Sequence, residues 1–313
     1  MRITVVGAGG VGGYFGGRLA MAGQEVAFLA RGPHLAAIRQ RGLQVRSAKG
    51  DFTAVVSASD NPADLGPSDV VLFCVKSYDT DAAATRLGPL LTGETAVVSL
   101  QNGIDNEERI AAVIGPGQVV GGAAYIFSSI SDPGTVAHTG GPARLVFGEL
   151  DGTVSARIER LRDACLGAGI DCGIPTDIRT VLWTKYAFIC ATAGMTAAAR
   201  LPLGGLRDCA ESWTMFRRIV AEIVELAHVE GVALGDDAVE QQVRFAASLD
   251  PNSFSSLHHD LVTGRRMELE ALHGTAVRRA AQLGIATPAN EAIYAILRPW
   301  ALHSERRVQT VAG

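Results

Sequence analysis

Lysine is scarce in this chain. Of 28 basic residues only Lys49, Lys76 and Lys185 are lysines, and the rest are arginines. Lys185 lies near the start of DIRTVLWTKYAFICATAGMTAAAR (177–200), which reads as an apolar helix. A lysine is almost never fully buried unless it is paired or used. Snorkelling to the surface is the ordinary outcome; placement in a cleft is the chemical one. There, an ammonium with an ordinary pKa of about 10.4 is protonated at neutral pH. It can stabilise charge growing on a carbonyl oxygen and then hand over a proton. A guanidinium can stabilise but does not donate. A neighbouring carboxylate would keep the ammonium charged as water is excluded. The segment SFSSLHHDLVTGRRMELE (253–270) offers Ser256, Asp260 and Glu268, and the sequence does not choose among them. Helical spacing places Ile189 and Ala193 on the same face as Lys185.

A second group of residues suits an anion. GAGGVG (Gly7, Ala8, Gly9, Gly10, Val11, Gly12) follows an apolar run and opens a helical pattern. In that setting G-x-G-x-x-G marks a dinucleotide site. Gly7 allows the tight turn, Gly9 the approach of a pyrophosphate, and Gly12 the close lie of the helix, whose N-terminus attracts the anion. GGVGGYFGG (9–17) holds six glycines, each costing a helix about 1 kcal/mol against alanine, so close approach must require them. EVAFLARG (25–32) ends in Arg31 with no acid beside it, and Glu25 stands at the wrong end. A guanidinium there suits a 2′-phosphate, so NADP is expected over NAD. Lys76 follows DVVLFCV (69–75) and Asn102 follows TAVVSLQ (95–101). If those runs are parallel strands, Gly7, Arg31, Lys76 and Asn102 meet on the carboxyl edge of one sheet.

The elements that must position these residues divide the chain in two. Runs at 3–6, 25–30, 69–75, 95–100 and 119–124 are near-continuously apolar, as strands buried on both faces of a doubly wound parallel sheet are. Runs 43–47 and 52–58 predict an extra strand pair. Turn signals SDPGT and TGGPA predict short antiparallel strands over 126–149. An amphipathic helix is expected at 156–169, then helices at 177–200, 208–231, 236–249, 253–262, 265–283 and 288–303. The fold class is therefore α/β followed by all-α, with domains 1–175 and 176–313. A length of 313 residues accommodates both. A net charge of −4 gives no reason to propose nucleic acid or a membrane surface. The opening MRITVVGAGG is not a signal-peptide pattern, and the longest apolar stretch falls short of the ~20 residues of a span. Five scattered cysteines (74, 165, 172, 190, 209) read as buried thiols in a reducing cytoplasm. His138, His258, His259 and His273 read as surface or capping residues, and no metal site is expected. Apolar faces of the helical half are available for a homodimer.

The chain resembles the ketopantoate reductases (2-dehydropantoate 2-reductases) of pantothenate biosynthesis over essentially its full length. The pieces are GAGGVG (7–12), ARG (30–32), VKS (75–77), QNG (101–103), PGTVAHTG (133–140), W-x-K (183–185) and SS-x3-D-x7-E (255–268). The resemblance implies an N-terminal Rossmann domain, an all-helical C-terminal domain and NADPH in the cleft. It implies Lys185 as the general acid, held by Glu268, which also lies near the cofactor. Asn102 would touch the nicotinamide side and the substrate, and Ser256 the substrate carboxylate. Arg31 and Lys76 would serve the cofactor, and the Ser128 backbone, after the fifth main strand, would pass the nicotinamide. The chain departs from the family at two positions. Members carry Asn four and eight residues after the lysine, where Ile189 and Ala193 stand here. A substrate hydroxyl buried without a partner costs ~1–3 kcal/mol, so either Thr192 or Thr196 substitutes or the substrate tail is more apolar. The expected activity is NADPH-dependent reduction of a 2-oxo acid, foremost 2-dehydropantoate. Its alternatives are a D-2-hydroxyacid dehydrogenase, an opine-type dehydrogenase and a non-catalytic NADPH sensor, which would have no use for Lys185 and Glu268.

Overall fold

The computed structural model describes residues 1–312, with side chains through residue 307. The chain forms two compact units, Met1–Gln101 with Asp105–Val181, and Asn102–Ile104 with the residues from Leu182 onward.

The first unit runs β1 (Arg2–Val6), α1 (Gly10–Met21), β2 (Glu25–Leu29), α2 (Gly32–Arg41), β3 (Leu43–Ser47), β4 (Phe52–Ala54), β5 (Ser57–Ser59), β6 (Val70–Phe73), α3 (Thr80–Ala84), β7 (Ala96–Ser99), α4 (Asn106–Ile114), β8 (Val119–Asp132), β9 (Thr135–Glu149), α5 (Ala156–Gly167) and β10 (Asp171–Gly173). Strands β5-β2-β1-β6-β7-β8 are parallel neighbours. This is the doubly wound order, with the reversal between β1 and β6, where such sheets bind ligands. The apolar runs are buried because helices cover both faces; Val70 to Phe73 and Ala96 to Val98 are at most 1% exposed.

The sheet continues beyond β8. Antiparallel β9 follows, then β3 parallel to β9 and β4 antiparallel to β3. Two expectations need correction here. Run 52–58 is two strands, β4 and β5, at opposite ends of the sheet. Val55 between them is 94% exposed, because the chain needs a corner there rather than a pairing residue. TGGPA is no turn either. It lies inside β9, and the ladder absorbs it as a register shift between Tyr125 and Phe127, with Gly141 and Ala143 at positive φ. SDPGT does turn the chain, with Gly134 at φ 76.

Helix α6 (Ile178–Ala199) begins in the first unit and runs on in the second. Asp177 starts it, accepting from the Arg179 amide and the Thr180 hydroxyl at 2.8 Å each. The second unit adds α7 (Leu203–Arg207), α8 (Ala210–Val229), α9 (Ala238–Ser248), α10 (Ser256–Val262), α11 (Thr275–Leu283) and α12 (Pro288–Ala312). Neither α7 nor β10 is legible from periodicity, being five and three residues long. The helix expected at 265–283 is broken. Residues 265–269 are not helical, and Glu270–Gly274 form a π-helical turn before α11. The Gly274 amide reaches back five residues to the Leu269 carbonyl at 3.1 Å. The turn is clamped on α6 by Tyr186, whose hydroxyl donates to the Leu272 carbonyl at 2.6 Å. No helix among the described residues is long and apolar enough to cross a membrane.

Two histidines and three cysteines depart from expectation. His138 is buried, bonded through Nδ1 to the Ser47 hydroxyl at 2.8 Å and through Nε2 to the Gly140 carbonyl at 2.9 Å. His273 is buried in the π turn, where its Nδ1 meets Asn290 Oδ1 at 2.9 Å. The Asn290 amide nitrogen in turn donates to Glu222, so Asn290 Oδ1 accepts and His273 Nδ1 carries the proton. Cys209 is exposed, as the residue preceding α8, and Cys74 and Cys172 are half-buried.

Burial pushes the His273 pKa down to about 4. The unfolded chain therefore takes up a proton between pH 6.5 and 4 that the native state refuses. The stability linked to this group is complete above pH 6.5 and is lost as pH falls through that window, by about 3 kcal/mol. In urea unfolding, the stability advantage of the parent over His273→Gln should shrink by about that amount from pH 7 to pH 4. An advantage constant with pH would refute the assignment.

Candidate active site

The carboxyl ends of β1, β2 and β6 are laced together. The Gly7 amide donates to the Leu29 carbonyl at 3.1 Å, and the Cys74 amide to the Val6 carbonyl at 2.8 Å. Gly7 sits at φ 100, and a Cβ there would lie 2.9 Å from the Cys74 and Val75 backbone. Gly12 lets α1 rest on β1, since its Cβ would meet the Gly7 carbonyl oxygen at 2.2 Å. Gly10 accommodates the protein itself, for its Cβ would stand 2.2 Å from the Ser128 carbonyl oxygen. Ser128 lies inside β8 rather than after it, and its backbone crosses the start of α1. Gly9 is different. Nothing lies within 4 Å of the place its Cβ would occupy. No side chain caps α1 and no acid stands in its first turn, so its first N–H groups remain for an anion. This open cradle fits a dinucleotide pyrophosphate.

The rim beside it carries charge. Arg31 precedes α2, and its Nη2 meets Asp79 Oδ2 at 2.8 Å. The expectation of a guanidinium without a carboxylate is thus corrected. Asp79 arrives 48 residues further along the chain, from the turn after β6, where a search along β2 does not look. That turn begins at Lys76, whose carbonyl accepts the Asp79 amide at 2.8 Å. Arg109 of α4 braces it with two contacts of 2.9 Å to Asp81 and one of 3.1 Å to the Ser77 carbonyl. Gln101 joins β7 to the same turn through the Val75 carbonyl at 2.9 Å and the Thr80 hydroxyl at 2.8 Å. Gly7 to Gly12, Arg31, Lys76 and Ser128 are therefore gathered in one unit. His34, unnoticed in the sequence, links α2 to the β8–β9 turn, its Nδ1 accepting the Gly134 amide at 2.9 Å.

The remaining candidates are in the other unit. Asn102 belongs there with Gly103 and Ile104, because Ile104 is buried in the same apolar core as Trp183 and Tyr186. On α6, Lys185 and Ile189 are half-buried and Ala193 is buried. The two hydroxyls on this side differ. Thr196 is engaged, bonding the Thr192 carbonyl and the Ser255 hydroxyl at 2.7 Å each. The Thr192 hydroxyl is buried and makes no hydrogen bond. Ser255 caps α10 by accepting the His258 amide at 3.1 Å, while Ser256, the next residue, is exposed. Glu268 and Asp260 are both buried, Glu268 between Met267 and Leu269 of the apolar core. Lys185, Asn102, Asp260 and Glu268 all have partners. One unit thus holds an ammonium, an amide, an exposed serine and buried carboxyls, the groups needed to bind a 2-oxo acid and protonate its carbonyl oxygen.

Known proteins are similar to this chain over nearly its whole length. Residues 3–152 match the family model described as ketopantoate reductase PanE/ApbA, and residues 177–301 match its C-terminal counterpart. The uncharacterized oxidoreductase YkpB of Bacillus subtilis is 32% identical over 95% of this chain and 98% of its own. The 2-dehydropantoate 2-reductase of Caulobacter vibrioides is 33% identical over 96% and 99%. A crystal structure of a PanE/ApbA family ketopantoate reductase from Ralstonia eutropha superposes with a TM-score of 0.89 at 34% identity, covering 97% of this chain and all of that one. With both parts of its length matched, the chain belongs to the ketopantoate reductase PanE/ApbA family and is an oxidoreductase.

Proposed function

We propose that the protein reduces a 2-oxo acid to the 2-hydroxy acid with NADPH, acting as a 2-dehydropantoate 2-reductase. Residues 1–175 would hold the dinucleotide and residues 176–313 would bear the substrate and the acid. The observation that carries this reading is Lys185 on α6, in the unit that also contains Asn102 and the buried Glu268. Gly7 to Gly12 hold the pyrophosphate, Arg31 the 2′-phosphate and Lys76 the adjoining charge, with the Ser128 backbone beside the nicotinamide. When bound, the reduced dinucleotide supplies a hydride to the carbonyl carbon. Lys185 Nζ holds the proton that the carbonyl oxygen receives as charge builds there. Glu268 fixes the ammonium in its charged form. The Asn102 amide orients the reacting carbonyl, and the Ser256 hydroxyl donates to the substrate carboxylate. Lys185 then regains its proton from water.

A second reading concerns the tail of the substrate. Ile189 and Ala193 are apolar, and Thr192 brings one hydroxyl that makes no hydrogen bond. That lining suits a 2-oxo acid with an apolar tail, as in a D-2-hydroxyacid dehydrogenase. Initial rates with 2-dehydropantoate and with branched-chain and aromatic 2-oxo acids separate the two. The first reading expects 2-dehydropantoate to lead in kcat/KM by about tenfold or more, and the second expects the reverse. Turnover only with an added amine would indicate an opine-type dehydrogenase. Dinucleotide binding without any turnover would leave the sensor.

A further inference from the structure

We propose that Asp79 sets the balance between NADPH and NADH by occupying the guanidinium that a 2′-phosphate would take. The inference rests on the reading that the ends of β1 and β2 hold a nicotinamide dinucleotide.

Three observations single out this carboxylate. Its Oδ2 lies 2.8 Å from Arg31 Nη2. Its backbone is fixed by the bond from its amide to the Lys76 carbonyl and by the Arg109 brace on the same turn. Asp79 precedes α3, yet its side chain makes no capping bond there. The pair is also a poor structural brace, since the Arg31 side chain is 85% exposed, and exposed ion pairs add little stability. Neighbouring carboxylates are committed elsewhere. Asp81 is held by Arg109, and Glu25 pairs with Arg2 at the other end of β2.

A plain adenosine ribose offers two hydroxyls and needs an acceptor, the task of the acid that usually ends the second strand. A 2′-phosphate needs a cation and is repelled by a carboxylate. Asp79 meets the first need and opposes the second, because it engages Arg31 and brings negative charge to the phosphate position. The acid missing from the end of β2 is thereby supplied from the end of β6. The protein should therefore bind NADH appreciably and favour NADPH less than an unaccompanied Arg31 would.

Calorimetric titration of the ligand-free protein with NADPH and with NADH tests this without any substrate. Asp79→Asn should tighten NADPH about five- to tenfold and weaken NADH about threefold, moving the ratio of dissociation constants more than tenfold toward NADPH. Asp79→Ala should reproduce the NADPH gain, since it also removes the charge. Arg31→Ala should weaken NADPH about tenfold or more and leave NADH within about twofold. Should both Asp79 variants leave the ratio unchanged while Arg31→Ala still costs NADPH, the role of Asp79 is refuted and the cofactor reading stands. Should Arg31→Ala leave NADPH binding intact, Arg31 is not the 2′-phosphate ligand and this inference falls, whereas failure of the parent protein to bind either dinucleotide would overturn the cofactor reading itself.

Discussion

Lys185→Ala lowers kcat for the 2-oxo acid about a thousandfold, while KM changes less than tenfold. A positioned general acid contributes about 10²–10⁴-fold, and its loss appears in kcat because the proton moves only in the transition state. NADPH affinity, measured by direct titration, stays within about twofold of the parent if the lysine acts on substrate rather than on the dinucleotide. Lys185→Arg is the sharper variant. It keeps the positive charge but cannot release a proton at neutral pH, so it recovers no more than about tenfold of the loss. A kcat within tenfold of the parent in either variant would remove Lys185 from the chemistry and return the sensor to consideration.

Restoring the missing amides changes what the protein reduces. Ile189→Asn with Ala193→Asn raises kcat/KM for 2-dehydropantoate about ten- to a hundredfold. It lowers kcat/KM for apolar-tailed 2-oxo acids by a similar factor. Each hydroxyl that gains a buried partner recovers about 1–3 kcal/mol, and each apolar tail that meets an amide loses a comparable amount. Ala193 is only 2% exposed, so an asparagine there must displace neighbours and risks the fold. Ile189 is half-buried, and Ile189→Asn alone should give about tenfold of the gain at little cost in stability. A substrate profile unmoved by Ile189→Asn would show that this face of α6 does not touch the tail.

The glycine loop and the strands behind it are legible because their signals are local. Burial of β1, β6 and β7 follows from unbroken apolar runs, and the requirement for glycine at 12 follows from contact with the nearby Gly7 carbonyl, whereas Gly10 is required only by the distant Ser128 backbone. What escaped the sequence depends on distant residues meeting. Asp79 faces Arg31 only because the parallel order sets β6 one strand beyond β1, with β2 on the other side. The fate of Thr196 was hidden for the same reason. Its partner Ser255 lies 59 residues away, and that bond leaves Thr192 as the hydroxyl to consider. The strand run that ends at Gln101 does not reveal that Asn102 groups with the helical unit, because that follows from the burial of Ile104 in the helical core. The burial of His273 and His138 is not legible, because neither the apolar pocket of His273 nor the strand pairing of His138 is visible in their immediate neighbours.

The π-helical turn at Glu270–Gly274 holds one residue more than an ordinary helical turn. Removing a single residue would rewind it as α-helix and swing what precedes it by about 100° relative to α11. Tyr186 would then lose the Leu272 carbonyl, His273 would leave Asn290, and Glu268, two residues before the turn, would face a different neighbour. The placement of that carboxyl thus rests on chain count. A chain one residue shorter in this segment would keep Lys185 and Glu268 and lose the present placement of Glu268 relative to α11.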